Sequence, residues 1–342
     1  MARADAPAGA RRRVRDTRPV QLFGRGRSPD GPVVVCGSGS PKLGAAVCRE
    51  LGVEPAAAET LHFGEGTLFV RLLENVRGRN VYVVQSTIYP ASDNVLELLF
   101  WLDASRRASA ASVTAVVPYF SYGKGDKKDE PRVSIRARVI ADAIEAAGAD
   151  RVVTMDLHAP QIQGFFHIPV DDLYAMPTLC DALRGLGLSD PVVVSPDAGY
   201  AKMARRFAHR LGAGFALADK TRLGHGEEAE VFGVIGDVEG RDAILVDDFV
   251  ASAGTLVEAA EKLVERGARS VVAAATHGMF SGNAAEILAA SPIERVIVTD
   301  TVENHPRPPG DRVHVVSVAR LFAEAIRRIH GRESISVLFS DG

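Results

Sequence analysis

One short segment near position 250 combines the residue types best suited to binding a sugar phosphate. An apolar run at 243–246 ends in two adjacent carboxylates, Asp247 and Asp248, and a short turn containing Gly254 follows. The pattern predicts a buried strand whose carboxyl end, where open α/β sheets bind ligands, leads into a helix. Free N–H groups at the helix start suit a phosphate, Gly254 permits an unusual backbone conformation, and adjacent carboxylates suit neighbouring hydroxyls. Taken alone, the segment is also compatible with a structural strand end and a helix cap.

Two other phosphate-binding patterns are not supported. Gly37, Gly39 and Gly44 follow an apolar run and open a helical pattern, but the third glycine comes two residues too late for the dinucleotide-binding spacing GxGxxG. The Walker pattern GxxxxGK followed by Ser or Thr does not occur in the sequence. The sequence therefore argues against a nicotinamide or flavin site and excludes a Walker-type kinase.

The elements that must position these residues alternate regularly along the chain. From about Pro32, short apolar runs alternate with longer amphipathic ones, which is typical of βαβ units with mostly parallel sheets. Two α/β units of similar size, meeting near 170–190, account for this better than one large sheet. Strands are predicted at 32–36, 81–86, 113–117, 151–156, 191–195, 243–248, 270–275 and 294–299, and helices at 41–51, 94–108, 135–147, 198–211, 255–266 and 318–329.

Composition and charge exclude several classes of protein. The 342-residue chain has a formal net charge of −3, so no overall field draws it towards nucleic acid or anionic lipid. Residues 1–31 are rich in Arg and contain several prolines, and we expect them to form a disordered tail. The three cysteines form no CxxC pair, which argues against a disulfide framework or a zinc site. No apolar run approaches the roughly 18–20 residues of a membrane span, and we expect a cytoplasmic protein.

A set of motifs occurs in the order found in one enzyme family. With them, almost the whole chain from Val33 to Phe339 resembles the ribose-phosphate pyrophosphokinases, which make phosphoribosyl diphosphate (PRPP). The 247–255 segment also resembles the PRPP loop of type I phosphoribosyltransferases, but those enzymes do not share the complete set. The motifs include Gln85-Ser86-Thr87, Met155-Asp156-Leu157-His158-Ala159, Val194-Ser195-Pro196-Asp197-Ala198-Gly199, Asp219-Lys220-Thr221-Arg222 and Ala275-Thr276-His277-Gly278.

The resemblance implies a fold and a division into domains. The expected fold is α/β, with two type I phosphoribosyltransferase-like domains, each a mostly parallel sheet flanked by helices. After the tail at 1–31, residues 32–175 would form the N-terminal domain on the ATP side. Residues 176–342 would form the C-terminal domain on the ribose 5-phosphate side, with its last helix packing on the N-terminal domain. We also expect a homo-oligomer built from dimers, up to a hexamer.

The resemblance also implies an activity and roles for individual residues. The expected reaction is Mg²⁺-dependent transfer of the β,γ-diphosphate of ATP to the C1 hydroxyl of ribose 5-phosphate. Lys220 and Arg222 would be catalytic, and His158 and Asp197 would hold the Mg²⁺. The residues implied for ribose 5-phosphate are Asp247, Asp248, Ser252, Ala253, Gly254 and Thr255, and those for ATP are Phe63, Glu65, Lys124, Asp126 and His158. Positions that bind ADP or phosphate effectors in hexameric members correspond to Ser86, Ser334, Ser336 and Phe339.

Three departures from the family pattern leave alternatives open. The PRPP loop usually carries Asp-Thr where this chain has Ala251-Ser252, which favours altered metal or product handling. In the adenine site, Phe-Ser-Asp-Gly-Glu is replaced by the segment 63–67, and in the basic loop Ala-Arg-Gln-Asp-Arg-Lys is replaced by 123–128. A different purine triphosphate donor, or a higher KM for ATP, therefore stays open. So do a catalytically silent regulatory subunit and a base-transferring phosphoribosyltransferase.

Overall fold

The computed structural model describes residues 30–222, 230–303, 305 and 310–339, without the side chains of 219–222 and 230–232. Most of the predicted tail at 1–31 therefore lies outside the described residues. Within them, no helix is both long and apolar enough to cross a membrane.

The first half of the chain forms a five-stranded parallel sheet and a separate hairpin. The sheet order is β1-β4-β5-β6-β7, and β2 and β3 pair with each other in antiparallel fashion. The core strands consist mainly of valine and are buried on both faces, as expected for parallel strands covered by helices. The elements are β1 Val33–Cys36, α1 Pro41–Leu51, β2 Ala58–His62, β3 Leu68–Leu72, β4 Asn80–Val84, α2 Ala91–Arg107, β5 Ser112–Val117, α3 Arg136–Ala146, β6 Arg151–Met155 and β7 Val170–Leu173.

The second half forms a seven-stranded sheet in the order β10-β9-β8-β11-β12-β13-β14, in which only the β9–β10 pair is antiparallel. The predicted boundary between residues 175 and 176 falls in the short connection between β7 and α4. The elements are α4 Met176–Arg184, β8 Pro191–Ser195, α5 Ala201–Leu211, β9 Gly214–Arg222, β10 Glu230–Ile235, β11 Asp242–Val250, α6 Gly254–Glu265, β12 Ser270–Gly278, α7 Ala284–Ala290, β13 Ile293–Thr299, β14 Val313–Val316 and α8 Ala319–His330.

Each predicted strand and helix is present, with ends shifted by a few residues. Six strands were not predicted: β2, β3, β7, β9, β10 and β14. Several of them are edge or hairpin strands in which few side chains are fully buried, so their sequences lack a continuous apolar run.

One buried apolar cluster joins the two halves of the chain. Val47 of α1 and Phe322 and Ile326 of α8 belong to it, together with side chains of both sheets. At the surface of this contact, a guanidinium nitrogen of Arg327 donates to the carbonyl of Glu50 over 2.9 Å. The last helix thus packs on α1, the first helix of the N-terminal half.

The start of α1 is capped by a carboxylate from the other half of the chain. Ser40 makes no side-chain capping bond to α1, because its hydroxyl accepts the N–H of Ser86 instead. The carboxylate of Glu303 accepts the N–H groups of Lys42 and Leu43 over 2.9 and 2.5 Å. A carboxylate at a helix N-terminus stabilises both the free N–H groups and the helix dipole.

We predict that Glu303→Ala destabilises the protein, because two N–H groups of α1 lose their acceptor. Loss of such a cap costs about 1 kcal/mol, which corresponds to a Tm lowered by roughly 1–3 °C for a chain of this size. Thermal unfolding followed by circular dichroism measures the change. Glu294→Ala is the control, because Glu294 is exposed on β13. Equal Tm values for the two variants would contradict the capping role.

Candidate active site

The carboxyl ends of strands from both sheets meet at one cleft. Because parallel strands of an open sheet present their carboxyl ends at one edge, the side chains that follow them collect there. The one-turn helix Gly123–Gly125, after β5, closes one side. The cleft is lined by Tyr119, Phe120, Gly123, Lys124, Met155, Asp156, Leu157, His158, Asp248, Phe249 and His277.

The contact between His158 and Asp248 joins the two halves of the cleft. His158 follows β6 of the first sheet, and Asp248 lies in β11 of the second; His158 Nδ1 is 2.6 Å from Asp248 Oδ2. This hydrogen bond raises the pKa of His158, although partial burial of the ring acts in the opposite direction. The ring of Phe249 lies edge-on to His158, with 5.7 Å between ring centroids. The Asp248 carboxylate thus fixes the orientation of the imidazole.

Asp247 lies beside Asp248 in an environment that is unfavourable for a second negative charge. Burial, followed by repulsion from Asp248, raises the pKa of Asp247 to about 8. The charge of Asp197, at the end of β8, adds to this effect, so Asp197 faces the same site from a neighbouring strand. A cation or a set of ligand hydroxyls would relieve the repulsion among these carboxylates.

His277 is a neutral structural histidine at the back of the cleft. Its Nε2 is 3.1 Å from the carbonyl of Met155, and its Nδ1 is 2.8 Å from the hydroxyl of Thr301. Since the carbonyl only accepts, Nε2 carries the proton and Nδ1 accepts from Thr301. Burial lowers the pKa of His277 to about 4, so the ring is uncharged near neutral pH.

Two buried carboxyl groups hold the backbone turn that carries His158. Asp156 has a positive φ of 44°, and its Oδ2 accepts the N–H of Ala175 and the hydroxyl of Thr276. Asp172 accepts the N–H of Leu157 over 3.2 Å. Burial raises the pKa of Asp156 to about 6 and that of Asp172 to about 8. The role of Asp172 was missed in the sequence, because its partners lie far away along the chain.

The turn after β11 leads into a helix whose start has no side-chain cap. The positive φ of 66° in this turn belongs to Ala253, the residue before Gly254. A left-handed conformation at a residue other than glycine costs roughly 1–2 kcal/mol, and such strain concentrates at functional sites. No side chain caps the start of α6, and Ser252 and Thr255 are exposed. The first N–H groups of α6 therefore face a strained, open loop.

The carboxylates around the cleft are oxygen donors of the kind that Mg²⁺ prefers. Among the described residues, no group of three or more His, Cys, Asp and Glu side chains could hold a metal ion by itself. Asp197 lies exposed, with Oδ1 accepting the N–H of Tyr200 over 3.0 Å. Few protein ligands and open positions suit Mg²⁺, which keeps several waters and binds substrate phosphates.

The residues predicted for ATP lie in two separate places. Lys124 lines the cleft, with Nζ 3.9 Å from the ring centroid of Phe249. Asp126 lies close by and accepts a long hydrogen bond of 3.4 Å from Gln161. Phe63 and Glu65 lie at the exposed tip of the β2–β3 hairpin, and neither lines the cleft. The structure therefore brings Lys124 and Asp126 to His158, but not the hairpin residues.

The chain is similar to known proteins over most of its length. Residues 32–148 match the family model of the N-terminal domain of ribose phosphate pyrophosphokinase, and residues 227–340 match that of the phosphoribosyl synthetase-associated domain. Ribose-phosphate pyrophosphokinase from Caldanaerobacter subterraneus is 49% identical over 308 residues, 90% of this chain and 97% of that protein. The chain belongs to the ribose-phosphate pyrophosphokinase family.

Other family members support the same assignment. Ribose-phosphate pyrophosphokinase from Aquifex aeolicus is 46% identical over 312 residues, which are 91% of this chain and 100% of that protein. The crystal structure of phosphoribosylpyrophosphate synthetase from Mycobacterium smegmatis matches with a TM-score of 0.83 and 38% identity, covering 88% of this chain and 99% of that one. The predicted family and the predicted α/β fold with parallel sheets flanked by helices are confirmed.

The side chains of the catalytic pair Lys220 and Arg222, predicted from the family motif, lie outside the described residues. The backbone of β9, which contains both, pairs with β10. Their roles therefore stay predictions.

The four residues predicted for effectors have different environments. Ser86 is fully buried, and its hydroxyl donates to the carbonyl of Thr301 over 2.5 Å. Near the C-terminus, the hydroxyl of Ser334 donates a hydrogen bond to the hydroxyl of Ser336, and Phe339 packs edge-on against Tyr174. An effector site that used Ser86 would have to compete with its bond to Thr301.

We predict that Asp248→Asn lowers the pKa of His158, because the neutral amide no longer stabilises the imidazolium. The folded pKa of His158 is raised by Asp248, so its removal shifts the titration towards lower pH. Titration of the imidazole nitrogens by NMR measures the shift, with His158→Gln identifying the signal. Asp129→Asn, at an exposed position, is the control. An unchanged pKa in Asp248→Asn would contradict the direct contact.

Proposed function

We propose that this chain is a ribose-phosphate diphosphokinase that transfers the β,γ-diphosphate of ATP to the C1 hydroxyl of ribose 5-phosphate, giving PRPP and AMP. The proposal rests on the cleft, where a hydrogen bond between Asp248 and His158 joins the two halves of the chain. The chain is also 49% identical to a ribose-phosphate pyrophosphokinase. The residues of the family motif are present on both sides of this cleft.

The ribose 5-phosphate would bind along the end of β11. Asp247 and Asp248 would accept hydrogen bonds from the ribose hydroxyls, which relieves the repulsion between the two carboxyl groups. The 5-phosphate would lie at the turn formed by Ser252, Ala253, Gly254 and Thr255, where the start of α6 has no side-chain cap. In this orientation the C1 hydroxyl would point towards the first sheet, where His158 and Lys124 lie.

The reaction forms one bond and breaks one bond. The C1 oxygen attacks the β-phosphorus of ATP, the bond from the β-phosphorus to the α,β-bridging oxygen breaks, AMP leaves, and the hydroxyl proton passes to solvent. Lys220 and Arg222 would stabilise the charge that grows on the phosphate oxygens. His158 and Asp197 would hold Mg²⁺, which when bound neutralises charge on the triphosphate.

Two other functions remain as alternatives. A catalytically silent regulatory subunit would be expected to lack some of the cleft residues, whereas His158, Asp197, Asp247 and Asp248 are all present. A base-transferring phosphoribosyltransferase would not need the first half of the cleft. Both are therefore less well supported than the diphosphokinase.

We expect the purified protein, mixed with Mg²⁺, ATP and ribose 5-phosphate, to produce AMP and PRPP in equal amounts, which phosphorus NMR detects. A silent subunit would produce neither, and a transferase would act only on PRPP together with a base.

Replacing ATP by GTP tests donor choice, because the changed segments 63–67 and 123–128 favour relaxed selectivity or a higher KM for ATP. Removal of Mg²⁺ with EDTA should abolish the reaction.

We predict that Lys220→Ala lowers kcat by about 10³-fold or more, by analogy with the effect of a supplied arginine in phosphoryl transfer. The physical reason is the loss of a positive charge that acts mainly on the transition state. Steady-state AMP formation measures the change, and Lys202→Ala, exposed on α5, is the matched control. A kcat equal to that of the control would remove Lys220 from the mechanism.

The predicted partners and location belong to the same proposal. Exposed apolar side chains on the β2–β3 hairpin and on α2, among them Phe63, Phe69, Leu96 and Phe100, support self-association into a dimer-based oligomer. A hexamer, regulation by ADP or phosphate, and a cytoplasmic location stay predictions.

A further inference from the structure

An arginine from α3 fills the space beside Gly125. A Cβ atom added to Gly125 would lie 2.5 Å from Nε and 2.9 Å from Cβ of Arg136. Real Cβ atoms do not approach other atoms so closely, so a side chain at position 125 and the observed Arg136 exclude each other. Glycine at 125 thus lets Arg136 pack against the one-turn helix that carries Lys124.

Arg136 is an exposed cation at the start of a helix. Arg136 is the first residue of α3, whose first turn contains no acidic side chain. A cation at a helix N-terminus opposes the helix dipole. In the part of the chain that the structure describes, no carboxylate forms an ion pair with Arg136, whereas Arg138 pairs with Asp142 over 2.8 Å. Among the described residues, no carboxylate thus competes with a ligand for the exposed guanidinium of Arg136.

The side chain of Lys124, the residue before Gly125, lies at the wall of the cleft. Lys124 precedes Gly125, and its ammonium group lies over the ring of Phe249, which follows the sugar-binding Asp248. Gly125 is thus one residue from the cleft wall, and the side chain of Arg136, which extends from the start of α3, lies against it. A guanidinium offers a planar set of donors that matches two phosphate oxygens, which the single ammonium of Lys124 does not.

We propose that Arg136 binds the phosphate chain of the nucleotide donor beside Lys124, from the space that Gly125 leaves open. This inference rests on the proposed function, because it assigns a further residue to the donor side of the same cleft. A glycine and an arginine eleven positions apart would thus act as one unit.

Direct binding of MgATP tests the proposal. Isothermal titration calorimetry of Arg136→Ala should give a Kd raised about tenfold or more, the effect expected for loss of a charge-assisted bidentate contact. Arg136→Lys should recover only part of this loss. Arg138→Ala, two residues along the same helix, should bind MgATP like the unaltered protein. The KM for ribose 5-phosphate should change less than about twofold in all three, since the acceptor site lies on β11.

A second pair of variants distinguishes contact from general damage. Gly125→Ala should weaken MgATP binding, because the added methyl displaces Arg136. In an Arg136→Gly background, which also removes the Cβ that lies 2.9 Å away, the same change should have little further effect. Additive effects of the two changes would overturn the proposal.

The remaining outcomes separate this inference from the proposed function. If the unaltered protein forms no AMP, the diphosphokinase assignment fails, and the ratio of MgATP dissociation constants still decides the role of Arg136. If AMP is formed but Arg136→Ala binds MgATP within twofold of the unaltered protein, Arg136 is not a donor residue and the inference fails. A changed response to ADP with unchanged MgATP binding would likewise overturn it.

Discussion

Two carboxyl groups at the end of a buried strand are the constraint around which the cleft is organised. Burying like charges side by side is costly, and the pKa of Asp247 is raised accordingly. Across the cleft, Nδ1 of His158 lies 2.6 Å from Oδ2 of Asp248, and this hydrogen bond partly stabilises the carboxylate. In the proposed complex, sugar hydroxyls and a cation would relieve the remaining repulsion between the two carboxyl groups.

This arrangement needs two sheets held at a fixed distance, and the fold provides that through contacts distant in sequence. The shared core around Phe322 of α8 joins the halves. Closer to the cleft, Thr301 accepts through its carbonyl from Ser86 and donates through its hydroxyl to His277. Because these bonds are buried, a relative movement of the sheets would leave polar groups unpaired. The contact between His158 and Asp248 thus depends on hydrogen bonds that other residues make, namely Ser86, Thr301 and His277.

Local patterns in the sequence were sufficient for the strand that contains Asp247 and Asp248, for the helix after it and for the parallel sheets, because buried strands and amphipathic helices each carry their own periodicity. They were insufficient where long-range packing decides. The β2–β3 hairpin has few buried side chains, so no periodic signal marked it. The role of Asp172 is visible only from its hydrogen bond to the N–H of Leu157. The role inferred for Arg136 is visible only from its contact with Gly125. The strand ends that line the cleft could be predicted from sequence, but the groups that hold them in position could not.

The contrast between the two glycine-containing loops has a physical explanation. At the first loop, the N–H of Ser38 donates to the buried Glu97 carboxylate over 3.1 Å, and the N–H of Gly39 donates to Gln85. At the start of α1, Glu303 accepts the next free N–H groups. Two side-chain carboxylates thus already occupy the positions an anion would take. The start of α6 has no such side chain. The two loops therefore differ less in their glycines than in whether side chains of the protein already bind the N–H groups of the helix start.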